Sequence, residues 1–310
     1  MKSIYMLIVL MLLGGCAHEQ HSASLRSADG SEHVMDGYAV AAALKTAYLD
    51  KRQDCGSPSA PAFLCSGVLF RGTNESFSFH SWNPVPGRIG VAFSYLRQDA
   101  NFSHLAVGTD NGFIFFPIFN APPEKLHIEV LCSFPIDGNT WTRSQPGCGA
   151  TSHFPVESQR CQSQGITTAT QWKTLFDSLP LEYDREKWVY SYICGFDVSD
   201  PMNQQGASSF YQSLRAMHLV PSTITHHYNE LILRAWAQDI PTLLPIQAFF
   251  YTLSSGLAGA RHDQWDFFNN ADKAFIPIIR INLPSDVTGE ATFTYNPNDQ
   301  RCQPDAVTCS

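Results

Sequence analysis

Glu129 sits in 126–132 (Leu-His-Ile-Glu-Val-Leu-Cys), a stretch that alternates as a strand does. Leu126, Ile128, Val130 and Cys132 fall on one side, and His127, Glu129 and Leu131 on the other. A carboxylate and an imidazole on one strand face are either solvated groups on a half-exposed sheet or the polar side of a site. Two earlier stretches bear on the choice. In 67–73 (Gly-Val-Leu-Phe-Arg-Gly-Thr) Arg71 ends an apolar strand, where a guanidinium is costly to bury without an anion, either a structural carboxylate or a ligand phosphate. In 90–96 (Gly-Val-Ala-Phe-Ser-Tyr-Leu) Ser94 stands among apolar neighbours; a strand serine is commonly just a satisfied hydroxyl.

Strands must position these groups. The alternation predicts strands over 67–72, 90–96, 112–119 and 126–134, separated by loops such as 82–87 and 120–123, and further strands over 245–253, 275–283 and 291–295. Asp36 reads as the N-cap of a helix running to Arg52. Helical stripes follow at Trp172, Leu175, Phe176, Leu179; at Phe210, Tyr211, Leu214, Met217; and at Tyr228, Leu231, Ile232, Ala235, Trp236, all expected to be core faces. Strands flanking a helical middle predict one α+β domain, 37–310, with a helical insertion. His226 and His227 are expected on a helical surface, and 261–266 as a polar loop in which His262, Asp263 and Asp266 could form an acid–base cluster.

A chain of 310 residues, 44% hydrophobic and 15% charged, can bury a core. Its net charge of -8, without basic runs, argues against a nucleic-acid partner. The apolar run from Ile4 to Leu13 is too short to span a bilayer and fits a signal h-region, giving a signal peptide over 1–15. Leu-Gly-Gly-Cys resembles a bacterial lipobox, which implies lipidation of Cys16 and a tether over 16–36; a plain signal peptide cut near Ala17 is the alternative. Either predicts export, with the lipid at Cys16 as the only membrane contact. Without Cys16 eight cysteines remain, an even number that reads as disulfides. Sequential pairing (55–65, 132–148, 161–194, 302–309) is the simplest of 105 connectivities. There is no CxxC pair, no HExxH and no Gly-x-Ser-x-Gly elbow, so neither a metal nor a serine hydrolase is expected.

Arg, Ser and Glu on successive strands, in that order, resemble the arginine–serine–glutamate class of ADP-ribosyltransferases and NAD glycohydrolases. Leu69-Phe70-Arg71-Gly72, Phe93-Ser94-Tyr95 and His127-Ile128-Glu129-Val130-Leu131 carry the resemblance. The chain also resembles halovibrin-like exported bacterial proteins, described as NAD-consuming, through Cys-Gly-Ser-Pro-Ser (55–59), 90–97, 164–169, 244–251 and 276–280. The resemblance implies mixed and antiparallel sheets of the ADP-ribosyltransferase kind, with NAD as substrate rather than resident cofactor. Glu129 would stabilise the ribosyl cation, Arg71 hold phosphate or ribose, and Ser94 orient Glu129 or the ribose. His80 lies where some members carry an auxiliary histidine, 120–125 would stand for the substrate loop, and Phe93, Phe113 or Phe115 would wall the nicotinamide. The chain departs from the class at Tyr95-Leu96, where Thr and a second Ser usually follow the serine. It departs again at His127, where Gln or Glu helps choose a protein acceptor, and that favours water as acceptor. Two other readings stand beside this one. Aromatic content of 12% with disulfide-braced loops suits a non-catalytic surface lipoprotein that binds a host ligand. A glycan hydrolase would need a second carboxylate within about 5–10 Å of Glu129.

Overall fold

The predicted strands line up in a single sheet. A computed structural model describes residues 36–73, 91–105, 109–115, 126–138, 148, 160–179, 193–198, 204–221, 227–237, 246–270, 275–286, 288–303 and 309. Cys16, His80, the leader, the tether and the loops at 82–87 and 120–125 lie outside the described residues. Among the described residues no helix is long and apolar enough to cross a membrane.

The strands are β1 (Val68–Thr73), β2 (Val91–Leu96), β3 (Asn111–Phe115), β4 (Leu126–Phe134), β5 (Phe196–Asp197), β6 (Glu230–Ala237), β7 (Ile246–Tyr251), β8 (Ile278–Asn282) and β9 (Thr292–Tyr295). They form one nine-stranded sheet in the order β5-β4-β6-β2-β1-β3-β7-β8-β9, antiparallel except for the β7–β8 pair. Among the described residues four helices accompany it: α1 (Gly37–Leu49), α2 (Ala169–Ser178), α3 (Gly206–Leu219) and α4 (Leu257–Asn270). The α+β expectation holds at that level.

Local chemistry explains the boundaries. Asp36 caps α1 by accepting from the Tyr38 N–H at 3.0 Å. The helix stops at Leu49, three residues short of the expected end. Thr168 and Gln171 form a capping box that starts α2. Gly67 enters β1 at φ +70, against the Tyr95 ring, so a side chain there meets both strain and a clash. Val40, Leu44 and Tyr48 of α1 are buried, and the Tyr48 hydroxyl donates to Asn101 Oδ1 at 2.9 Å.

Three expectations are corrected. The third helical stripe is strand β6, lodged between β4 and β2. Its buried Leu231, Ile232 and Leu233 are consecutive, as on a strand covered on both faces. Spacings of three and four also occur within a continuous apolar run, which is why a helix fitted it. The middle segment therefore supplies a central strand as well as helices. Residues 261–266 belong to α4 and are not a loop. The buried stripe of α4 runs through Ala260, Asp263, Gln264, Phe267 and Phe268, and its two polar members hid the helical period. His227 is likewise buried, with Nε2 3.2 Å from Met217 O, and is neither helical nor on the surface; His226 lies outside the described residues.

All four disulfides pair as the sequential reading expects: Cys55–Cys65, Cys132–Cys148, Cys161–Cys194 and Cys302–Cys309. They fit an extracellular or periplasmic environment.

Candidate functional site

Arg71 and Ser94 sit on neighbouring strands and out of phase. Phe70 is the register partner of Ser94, while Arg71 pairs with Phe113 on β3. Partners in an antiparallel pair share a face and successive residues alternate. Arg71 therefore shares its face with Phe93 and Phe113, and Ser94 lies on the other face with Phe70. The Arg71 Nη1 donates to Ala92 O at 2.7 Å, which ties the guanidinium to the backbone of β2.

The aromatic residues proposed as a nicotinamide wall pack on one another. Phe93 is 5.0 Å from Phe115 and 6.2 Å from Phe113, and Phe113 is 5.2 Å from Phe115, all centroid to centroid. All three are buried. By register Phe93 and Phe113 flank Arg71 on the two neighbouring strands.

Glu129 on β4 stands opposite Arg234 of β6, and His127 opposite Trp236. One strand, β6, separates β4 from β2. Phe93 pairs with Leu231, so Ser94 is about four residues along β6 from the level of Glu129. With strands about 4.8 Å apart and a rise of about 3.3 Å per residue, the two Cα atoms are on the order of 15 Å apart. That exceeds the reach of a direct hydrogen bond between Ser94 and Glu129.

A second polar group lies on the Arg71 face. Thr73, two residues beyond Arg71, donates through Oγ1 to Asp263 Oδ2 at 2.8 Å. Asn111, the register partner of Thr73, donates through Nδ2 to Thr73 Oγ1 at 2.7 Å and to Asp263 Oδ2 at 3.2 Å. Asp263 is 7% exposed. Burial pushes its carboxyl up to about 6, against the lowering pull of Thr73, His262 and Asn111. The sequence places Asp263 in a polar loop, as a candidate member of an acid–base cluster with His262 and Asp266. The signal missed there is the helical period that places Asp263 between Ala260 and Phe267 on the inward side of α4. His262 instead lies on the exposed side, stacked on Trp265, and Arg301 stands over the same indole at 4.7 Å. His262 and Asp266 act on Asp263 through their charges, and of the three only Asp263 is buried.

No family model, curated protein or solved structure matches this chain. The site rests on its own geometry.

Asp263 is not a glycosidase partner for Glu129. It bonds to β1, three strands from β4, and three strand spacings amount to about 14 Å. A glycosidase carboxylate pair is about 5–9.5 Å apart. Among the described residues no group of three or more His, Cys, Asp or Glu could hold a metal ion.

Other buried polar groups brace the frame. Arg97, fully buried, donates to Asp99 through Nε at 2.5 Å and Nη2 at 3.0 Å, and to Arg52 O through Nη1 at 2.6 Å. Its charge sits beside the Tyr95 ring, at 5.8 Å. The Tyr95 phenol is pushed up to about 12, chiefly by burial. Asn229 continues the β2–β6 ladder with its side chain, accepting from Tyr95 N and donating to Tyr95 O, both at 2.7 Å. Gln264 and Gln300 do the same for the C-terminal segment. Gln264 donates to Ile276 O and accepts from the Arg301 and Cys302 N–H groups, while Gln300 bonds both Ile278 N and Ile278 O.

Proposed function

We propose that the chain is an exported enzyme that cleaves the nicotinamide–ribose bond of NAD and passes ADP-ribose to water or to an acceptor. One observation carries the reading: the guanidinium, hydroxyl and carboxylate that this chemistry needs occur in strand order on β1, β2 and β4, within the contiguous run β4-β6-β2-β1, with Ser94 and Glu129 on one face by register and Arg71 on the other. Their spread of more than one strand suits a dinucleotide better than a single sugar. As the C1′–N bond breaks, its electron pair neutralises the pyridinium and positive charge builds on the ribose. The Glu129 carboxylate stabilises that charge through a ribose hydroxyl, a preorganised contact of roughly 3–4 kcal/mol. Arg71 holds the phosphates with a planar fork, and Ser94 orients the ribose. Water then adds at C1′ and loses its proton. His127 and His80 are assigned to substrate contacts, Phe93 to the apolar flank of Arg71, and Cys16 to a lipid anchor exposed by removal of a leader over 1–15.

A second reading is a non-catalytic surface lipoprotein that binds an extracellular ligand. It draws on the opposite faces of Arg71 and Ser94 and on the closed packing of Phe93, Phe113 and Phe115. Nicotinamide release from NAD by the purified chain, abolished in Glu129→Gln with circular dichroism unchanged, supports the enzyme. No release, with ligand heat absent on NAD titration, supports the binding protein.

A further inference from the structure

We propose that Asp263 is a positioning residue for Arg71, holding the end of β1 against α4 through Thr73 with a firmness set by its own charge. The inference rests on the reading of Arg71 as the NAD-phosphate ligand, and one arm of its test is independent of that reading.

Thr73 and Arg71 are two residues apart on one strand, so their Cα atoms are about 7 Å apart and their side chains share a face. Thr73 is 3% exposed, and its hydroxyl donates to Asp263 Oδ2 at 2.8 Å. Asn111 on β3 closes the triangle by donating to both. The helix has no slack in which to shift. Ser255 Oγ donates to Asp110 Oδ2 at 2.6 Å, just before β3 begins. Gly256 lies against Asp110 O and Gly259 against the Asn111 side chain, each so close that a Cβ would collide. Phe267 packs on Phe249 of β7. Full hydration of the carboxyl therefore breaks its bonds to β1 and β3.

The donors to this carboxylate are neutral, and among the described residues no ion pair joins it. The charges that act on it are those of His262 and Asp266 on α4; the neighbouring elements carry Arg71 on β1, Asp110 ahead of β3, and Tyr251 on β7, whose hydroxyl donates to Asp299 Oδ2. His262 favours the charge and Asp266 opposes it, while burial outweighs both. An ionised Asp263 thus favours any opening that hydrates it, and a protonated one favours the closed contact. Acid tightens the β1 end; neutral pH loosens it and the Arg71 beside it.

The test uses the full chain and Asp263→Asn, which keeps an acceptor and removes the charge. The first arm is hydrogen exchange at the amides of Arg71, Gly72 and Thr73 and along α4, at pH 5.0 and 7.5, corrected for intrinsic rates. For openings that hydrate Asp263 fully, the expected loss of protection from pH 5.0 to pH 7.5 in wild type is about tenfold, because a hydrated carboxyl is already ionised at pH 5.0 while the buried one is still protonated. Asp263→Asn is expected to show none. Equal protection at both pH values, or the same pH dependence in the variant, overturns the proposal. The second arm is the KM for NAD, expected to rise between pH 5.0 and 7.5 in wild type and to stay flat in the variant, with the kcat profiles of the two coinciding. Exchange that titrates beside a flat KM overturns the positioning role. Absence of NAD turnover at every pH overturns both the NAD reading and the Arg71 assignment, while the exchange arm still decides whether the contact is charge-controlled.

Discussion

Replacing Asp263 with Asn is expected to stabilise the protein at pH 8 and to lose that advantage in acid. The carboxyl is 7% exposed and its pKa is raised from 3.8 to about 6, chiefly by burial. For an acid raised in this way the folded state binds the proton more tightly than the unfolded state. Stability from this group is thus fully present below about pH 3.8, declines as pH rises, and is gone above about pH 6. A shift of about two units at about 1.4 kcal/mol each gives roughly 3 kcal/mol between the two limits. That shift already includes the pull of the Thr73 and Asn111 bonds, and Asn keeps an acceptor for both but buries an NH2 group in place of one carboxyl oxygen, at a cost on the order of 1–2 kcal/mol. The net expectation is about 1–2 kcal/mol of stabilisation at pH 8, and at pH 4 a variant no more stable than wild type. Chemical unfolding with the disulfides intact, repeated from pH 4 to pH 8, measures the difference. A variant less stable than wild type by more than about 1 kcal/mol at pH 8, or a difference that does not change with pH, refutes the argument that burial dominates this carboxyl.

His227 carries the opposite sign. Burial, together with nearby His104 and His218, holds its pKa below the usual 6.5, so its contribution is present above pH 6.5 and is lost as pH falls through the lowered value. His227→Gln, which keeps a donor for Met217 O, is expected to flatten the decline in unfolding midpoint below pH 6.5; an unchanged decline counts against the assignment. Asp99→Ala leaves the buried Arg97 guanidinium to Arg52 O and Ser66 Oγ, at 2.6 and 3.4 Å, and is expected to cost about 2–3 kcal/mol in chemical unfolding. A loss under about 0.5 kcal/mol would show that solvent, which reaches the 31% exposed Asp99 side chain, already screens the pair.

Strands with alternating or short apolar runs between turn residues were legible before the structure. Leu126–Phe134 is the clearest case, and the disulfides fell to sequential pairing because each couples cysteines that neighbouring segments bring together. β6 was hidden because Leu231-Ile232-Leu233 is buried on both faces, which removes the two-residue period that marks a strand. β5, two residues long, carries no period at all. On α4 the helical period was masked by Asp263 and Gln264, polar residues that point inward because partners on β1, β3 and the C-terminal segment satisfy them. Of the site, the strands of Arg71, Ser94 and Glu129 were readable, and their relative phase was not. Phase depends on the β1–β2 register and on the insertion of β6 between β2 and β4, neither of which is written in any local stretch.

The central claim is that Glu129 stabilises a ribosyl cation formed from NAD. Its most direct test is nicotinamide release from NAD by the purified chain and by Glu129→Gln under identical conditions. A fall of about 100-fold or more in kcat, with KM little changed and circular dichroism identical, is the expected result. Turnover in the variant equal to wild type contradicts the account.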